Sequence, residues 1–296
     1  MRVFLTGATG YIGAAVLDRL LAEGHQVTAL VRDPLKAETV RARGADPALG
    51  DVSDAATVHR LADAADGVIH LAAPGDDSSA RVDDAAATHL LAALKGSDRP
   101  YIHTTGIWVH GSGSAITEST PMSPPRLTAW RVPIAERVLS TPGVRVAVVA
   151  PAIVYGHGGG LLNVVASGPR TEGNAPALTM IGHGDQHWST VHVDDLADLY
   201  VRALESAPAG SYFIGASGVS PTVREITQAV SRTIGLSGRV APEPVAQTLE
   251  RLGLLGEALL LDQQAGGDAA RRILGWTPQQ PTILDDIAAN PLAAAS

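Results

Sequence analysis

"TGATGYIG", residues 6–13, decides the fold. Ahead of it, "RVFLTG" is a short apolar run that ends in glycine. Behind it, Ile12, Val16, Leu17, Leu20 and Leu21 recur at helical spacing, and Gly24 closes that helix. "QVTALVRD", from Gln26, is a second apolar run with strand character. Strand, glycine turn, helix and strand make the βαβ unit of a dinucleotide-binding fold. Each glycine has a separate task. Gly7 makes the tight turn, Gly10 lets the backbone approach a pyrophosphate, and Gly13 lets the helix pack close to the strand. The phosphates then sit at the helix N-terminus, where free N–H groups and the helix dipole favour anions. Thr9, Tyr11 and Ile12 complete this expected phosphate site.

The rest of the crevice follows in chain order. Arg32, just after the second strand, is placed to pair with a ribose 2′-phosphate and favours NADP(H) over NAD(H). Asp33 keeps the alternative open, since a one-residue shift would put a carboxylate at the ribose hydroxyls. "GDVSD" places Asp51 and Val52 beside the adenine. "GVIHLAA" is a fourth strand, and the small residues after it, Leu71, Ala72 and Ala73, let the cofactor pass. "YIHTTG" is a fifth strand carrying Thr104, and "RVAVVAPAIVYG" a sixth carrying Pro151. With helices between them, the expected class is α/β, a Rossmann-type doubly wound parallel sheet.

From Val219 the chain reads as helices: "TVREITQAVSRTIG", "PVAQTLERLGLLGEALLLDQ" and "DAARRILG". They define a smaller, mostly helical C-terminal substrate lobe. The expected division is 1–155 with 190–215 for the dinucleotide core, and 156–189 with 216–296 for the lobe, joined by "TMIGHGDQHWSTVHVDD" returning to the sheet. The tail "AANPLAAAS" is expected to fray.

Composition narrows the function. The 296 residues carry a net charge of −8 with no basic block, which argues against a nucleic-acid partner. Zero cysteines exclude disulfides, thiolate catalysis and cysteine-ligated metals. "MRVFLTGATG" lacks the pattern of a secretory leader, and no run is long and apolar enough to span a membrane. A cytoplasmic protein is expected. No metal site is expected either: His183 and His187 lie in a glycine-rich loop without a third ligand at suitable spacing. "HGGG", 157–160, resembles an esterase oxyanion loop, but no G-x-S-x-G elbow partners it.

The sequence resembles the extended short-chain dehydrogenase/reductases of the NAD-dependent epimerase/dehydratase type. "TGATGYIG", "GDVSD", "VIHLAA", "PAIVYG", "VHVDDLADLYVRAL" and "ARRILGWTP" carry the resemblance, which covers nearly the whole chain. It implies a small-molecule substrate held between core and lobe, and a homodimer formed through two helices of each subunit. It also implies a Ser or Thr, a Tyr and a Lys for the chemistry. Here those positions read Gly106, Trp130 and Ile134. None of the five tyrosines has a lysine four residues later, and the only lysines are Lys36 and Lys95. The branch is therefore atypical.

Two functions remain. The first is an NADP(H)-dependent reductase of a small, largely apolar carbonyl, enone or imine, with a substitute for the missing acid. Thr105 would hydrogen-bond the substrate and Arg131, beside Trp130, would stabilise an oxyanion. Tyr155, expected at the pocket mouth, His187 and His110 are candidate proton donors. The second is a redox-silent NADP-binding isomerase, lyase or cyclase, or an NADP(H)-sensing protein. The sequence also expects Arg131 to pair with Glu118 or Glu136 if it does not touch substrate, and Asp194 to cap the helix after "VHVDD".

Overall fold

The computed structural model describes residues 1–290. In chain order the elements of the first half are β1 (Arg2–Thr6), α1 (Tyr11–Ala22), β2 (Gln26–Val31), α2 (Pro34–Ala42), β3 (Asp46–Leu49), α3 (Ala55–Asp63), β4 (Gly67–His70), α4 (Ser79–Leu94), β5 (Pro100–Thr104), β6 (Gly113–Ile116) and α5 (Arg131–Leu139). There follow β7 (Arg145–Pro151), β8 (Ile153–Tyr155), α6 (Leu162–Ala166), β9 (Leu178–Thr179), β10 (Thr190–His192), α7 (Val193–Ser206), β11 (Ser211–Gly215), α8 (Val223–Thr233), β12 (Val240–Ala241), α9 (Val245–Leu259), β13 (Gln263–Ala265), α10 (Asp268–Leu274) and α11 (Ile283–Ala289). A 3₁₀ turn spans Ile107–His110.

The central sheet has seven strands in the order β11-β7-β5-β4-β1-β2-β3, and every pairing is parallel. Such a sheet must be covered on both faces, which is why β4 and β7 read as unbroken apolar runs and are buried almost throughout. On one face α1 and α7 pack over Val3, Leu5, Ile69, Ile102 and Val149. On the other, α3, α4 and α5 pack over Phe4, Val68, Tyr101, Val146 and Val148. The strand order reverses between β1 and β4. Ligands of doubly wound sheets bind at such a switch point, outside the carboxyl ends of the strands.

The second half departs from expectation in three places. The single sixth strand is two: β7 leaves the central sheet at Pro151, and β8 pairs in parallel with β10 as a separate two-stranded sheet. "VHVDD" therefore returns to β8, not to the central sheet; α7 and β11 complete the core. The lobe is mostly helical, with short pairings of β12 with β9 and of β13 with β6. The long helix after Pro244 is broken at Gly253, whose φ of 54° and ψ of −131° are not helical. The lobe has its own core of Ile153, Tyr155, Trp188, Ile226, Leu259 and Ile283. Its best-formed start is the reciprocal cap between Thr222 and Glu225 on α8. In the tail, Ala288 and Ala289 close α11, and residues 291–296 lie outside the described residues.

Candidate active site

The glycine turn has the strain and closeness that its sequence demands. Gly7 has a φ of +77°, and a Cβ there would lie 2.6 Å from the Leu71 carbonyl group at the end of β4. A Cβ on Gly13 would lie 2.0 Å from the Gly7 oxygen. Both contacts are to backbone, so nothing can rotate away. Thr6 ties the two strand ends together, its hydroxyl accepting from the Leu71 and Ala72 N–H groups at 3.2 and 3.3 Å. Gly10 is the N-cap of α1 and supplies no capping side chain. The first-turn N–H groups are thus free for a phosphate. Thr9 and Ile12 lie in this turn as expected from the sequence, whereas the Tyr11 side chain has another task. Its hydroxyl donates to the Gly156 carbonyl at 2.7 Å. Its ring fills the space where a Cβ on Gly159 would stand, 2.4 Å away. "HGGG" is therefore the seat of the Tyr11 ring.

At the ribose end, Asp33 is committed: its carboxylate caps α2 by accepting from the Leu35 N–H at 2.9 Å. Arg32 is exposed and has no ion-pair partner within 4.0 Å among the described residues. Asp51 accepts from the Ser53 N–H and hydroxyl at 2.8 and 2.6 Å, which hold its carboxyl below the usual range. Val52 is buried in the core beneath it. Leu71 and Ala72 are half-buried and Ala73 exposed at the end of β4, and Pro151 is buried at the end of β7. Thr104 faces away from the crevice. Its hydroxyl donates to the His70 carbonyl at 2.8 Å and meets the Tyr200 hydroxyl at 2.9 Å, so its own backbone is what borders the site.

Alternation along β5 sends Tyr101, His103 and Thr105 to the α4/α5 side of the sheet. The Thr105 N–H extends the ladder to the Val149 oxygen at 2.9 Å, while its buried hydroxyl oxygen has no hydrogen-bond partner. Arg131 begins α5 and reaches back to this strand end, donating to the Thr104 carbonyl at 3.4 Å. Its guanidinium lies 4.3 Å from the centre of the Trp130 ring. Trp130 is itself fixed by its indole N–H on the Leu127 carbonyl at 3.0 Å. Burial lowers the Arg131 pKa, with Asp83 opposing. The expected Arg131–Glu118 pair does not form, because Glu118 accepts from the Ile214 N–H at 3.2 Å; nor does a pair with Glu136. Thr128, one turn ahead on the chain, holds a second buried hydroxyl without a partner. Of the residues proposed for chemistry, the fold thus brings Thr105, Trp130 and Arg131 to one strand end. Gly106 adjoins them in extended backbone, with nothing within 4 Å of where its Cβ would stand.

The candidate proton donors are elsewhere. Tyr155 is 1% exposed in the lobe core, not at a pocket mouth, and its hydroxyl donates to the Pro281 carbonyl at 2.7 Å. His187 pairs with Asp262, 2.9 Å from its Nδ1. His110 is held at both nitrogens, by the Thr120 carbonyl and the Tyr212 hydroxyl, each at 3.0 Å, and burial lowers its pKa. The cap of α7 also differs from expectation: His192, not Asp194, is the N-cap, its Nδ1 accepting from the Asp194 N–H at 3.2 Å. The Asp194 carboxylate instead binds His157 at 3.0 Å.

Folding also gathers a buried cluster that spacing could not reveal. His70 Nε2 lies 3.1 Å from Asp83 and His103 Nε2 3.5 Å from it. Thr6 stands at the other nitrogen of His70, 2.7 Å away, and Tyr101 at that of His103, 2.9 Å away. In this trio and in His157–His192–Asp194 the ligand atoms lie within 4.8 Å of one another, a spacing that could hold a metal ion. Proton positions oppose this in both. The Thr6 oxygen already accepts from two N–H groups, so its own proton goes to His70 Nδ1 and leaves Nε2 an N–H donor to Asp83. In the second trio His192 Nδ1 accepts from backbone, which again leaves Nε2 protonated.

The cluster has a consequence for stability. Burial lowers the His103 pKa to about 4, with Asp83 opposing. For Asp83, burial raises the pKa, but the His70 bond and the neighbouring imidazoles outweigh it and the net shift is downward. A neutral His103 in the fold against an unfolded histidine near about 6.5 means that the unfolded chain binds more protons between these values. Stability is thus complete above about pH 6.5 and falls as the pH drops toward 4, by roughly 2–3 kcal/mol. Urea midpoints measured from pH 7.5 to 4 are expected to show this loss, and His103→Gln to flatten it. An unchanged slope in the variant would assign the acid sensitivity elsewhere.

A cavity of about 1080 Å³ touches the glycine turn at Thr9, Gly10 and Tyr11 but then runs along the outer faces of α1 and α7. It contains neither Arg32 nor Thr105. Among the described residues no helix is long and apolar enough to cross a membrane.

The fold and glycine turn define a dinucleotide-binding protein, and comparison agrees. Residues 7–207 match the NAD(P)H-binding family. A UDP-glucose 4-epimerase of Mycolicibacterium smegmatis is 31% identical, covering 94% of this chain and 94% of its own. A 4-hydroxy-2-methyl-3-oxo-4-farnesyl-3,4-dihydroquinoline-1-oxide ketoreductase of Stigmatella aurantiaca is 28% identical, covering 100% and 92%. Among solved structures, a dTDP-glucose 4,6-dehydratase from Streptomyces venezuelae with NAD bound superposes with a TM-score of 0.76 at 21% identity, over 98% of both chains. The chain belongs to the NAD(P)H-binding family, as an atypical extended short-chain dehydrogenase/reductase of the epimerase/dehydratase type.

Proposed function

We propose that the protein is an NADP(H)-dependent reductase of a small, largely apolar carbonyl, enone or imine compound. One observation carries this reading. At the carboxyl end of β5 the Thr105 hydroxyl is buried without a partner, and the neighbouring Arg131 has no carboxylate within 4.0 Å among the described residues. A folded chain does not leave buried donors idle without cause. Both are available to the oxygen or nitrogen that gains charge as hydride arrives. The reduced nicotinamide supplies that hydride. The chain's residues orient the acceptor: Thr105 by its hydroxyl, Arg131 by the N–H groups not spent on Thr104, and Trp130 by holding the guanidinium in place. The ketoreductase relative supports the same class of reaction. We place the substrate between the core and the lobe of residues 156–189 and 216–296, in a cytoplasmic homodimer.

The unpartnered Arg32 and the committed Asp33 favour NADP(H) over NAD(H). Arg32→Ala is expected to weaken NADPH binding about tenfold or more, on the scale of one charge-assisted phosphate contact, and NADH binding hardly at all. Calorimetric titration with both cofactors tests this; equal losses would remove Arg32 from the 2′-phosphate. The same titrated protein, followed at 340 nm with ketones, enones and imines, tests the activity. Tight NADPH binding with no oxidation would favour the second reading, a redox-silent isomerase, lyase, cyclase or NADP(H) sensor. That reading draws on the missing Tyr-x-x-x-Lys pattern.

A further inference from the structure

We infer that the acceptor is an α,β-unsaturated carbonyl compound reduced at its carbon–carbon double bond, and not an isolated ketone; this rests on the reductase reading. The argument starts from a census of acids. The chain has five tyrosines, and every hydroxyl is committed. Tyr11 donates to Gly156 and Tyr155 to Pro281, while Tyr101, Tyr200 and Tyr212 are held by His103, Thr104 and His110. His110 is fixed at both nitrogens and His187 is paired with Asp262. What stands at the end of β5 is a cation, Arg131, and one unpartnered hydroxyl, that of Thr105. A guanidinium does not release its proton near neutral pH. The site is equipped to hold a negative charge and not to neutralise it.

That distinction selects among acceptors. Hydride addition to an isolated ketone gives a localised alkoxide, a base comparable to hydroxide, whose parent water ionises only far above neutral pH. Such a product needs a proton as it forms, and ordinary members of this superfamily give it one from a tyrosine. In an enone the hydride and its electron pair leave the reduced nicotinamide and form a C–H bond at the β-carbon. The π pair of the double bond moves toward the carbonyl, and the charge is shared between oxygen and α-carbon as an enolate. Arg131 and Thr105 hydrogen-bond that oxygen. A solvent proton then adds to the α-carbon. The sum is one NADPH, one enone and one proton to one NADP⁺ and one saturated ketone.

The test uses matched pairs with the intact protein and NADPH: 2-cyclohexen-1-one against cyclohexanone, and 4-phenyl-3-buten-2-one against 4-phenyl-2-butanone. NADPH oxidation is read at 340 nm and products by gas chromatography. The expected result is a kcat/KM at least 100-fold greater for the enone of a pair, with the saturated ketone as product. Ketones consumed as fast as enones, or allylic alcohol as product, would overturn this inference and leave the reductase reading standing. NADPH bound but oxidised neither by any of the four nor by an imine would overturn both.

Discussion

Gly13→Ala is expected to cost the protein a large part of its stability and to abolish cofactor binding. The new Cβ would stand 2.0 Å from the Gly7 oxygen and 2.7 Å from its carbonyl carbon. Overpacking a core costs roughly 1–3 kcal/mol where side chains can adjust. Here the obstacle is backbone, and that oxygen already accepts from the Gly10 N–H at 2.9 Å. The helix must move off the strand, at about 3 kcal/mol or more. At roughly 2–4 °C per kcal/mol for a chain near this size, the melting temperature falls by about 6–12 °C. The displacement also moves the α1 N–H groups that receive the pyrophosphate. Gly24→Ala is the control. Gly24 has a φ of +79°, but a Cβ there meets nothing within 4 Å. Its cost is therefore the left-handed conformation alone, about 1–2 kcal/mol, with NADPH affinity unchanged. Equal melting temperatures for the two variants, with NADPH still bound by Gly13→Ala, would mean that close helix–strand approach is not what the third glycine provides.

The contrast between these glycines shows why so much of the core was legible in sequence. The turn, the helix and the following strand are local patterns, and each residue's task depends on neighbours within a few positions. The site depends on contacts of another kind. Tyr11 finds Gly156 across 145 positions and Tyr155 finds Pro281 across 126. No spacing rule reports that a phenol is already engaged, so Tyr155 read as a candidate acid. The split of "RVAVVAPAIVYG" into β7 and β8 was hidden for a similar reason. A buried β-branched run states that a strand is present but not which sheet accepts it. Asp33 is a different case. Asp followed by Pro34 at a helix start is a local capping signature, and reading it would have removed the carboxylate from the ribose at once.

Thr105→Val is expected to stabilise the protein and disable it. The substitution keeps the shape of the side chain and removes a buried oxygen that has no partner. A group of that kind costs about 1–3 kcal/mol when left unsatisfied, so the valine form should melt higher in the absence of ligands. If the hydroxyl serves only packing, activity should follow stability and remain or improve. If it meets the charge that develops on the acceptor, turnover falls by about 10²–10³ while NADPH affinity is unchanged, the scale on which a single oxyanion donor acts. Arg131→Ala should lose at least as much turnover, because the guanidinium is a formal positive charge that the structure brings to this strand end. It should gain no stability, since it also gives up the contact with the Trp130 ring. The opposite movement of melting temperature and turnover in Thr105→Val is the informative result. A hydroxyl that weakens the folded protein and speeds the reaction is one held ready for a ligand, whereas parallel loss of both would return Thr105 to the core and leave Arg131 to act alone.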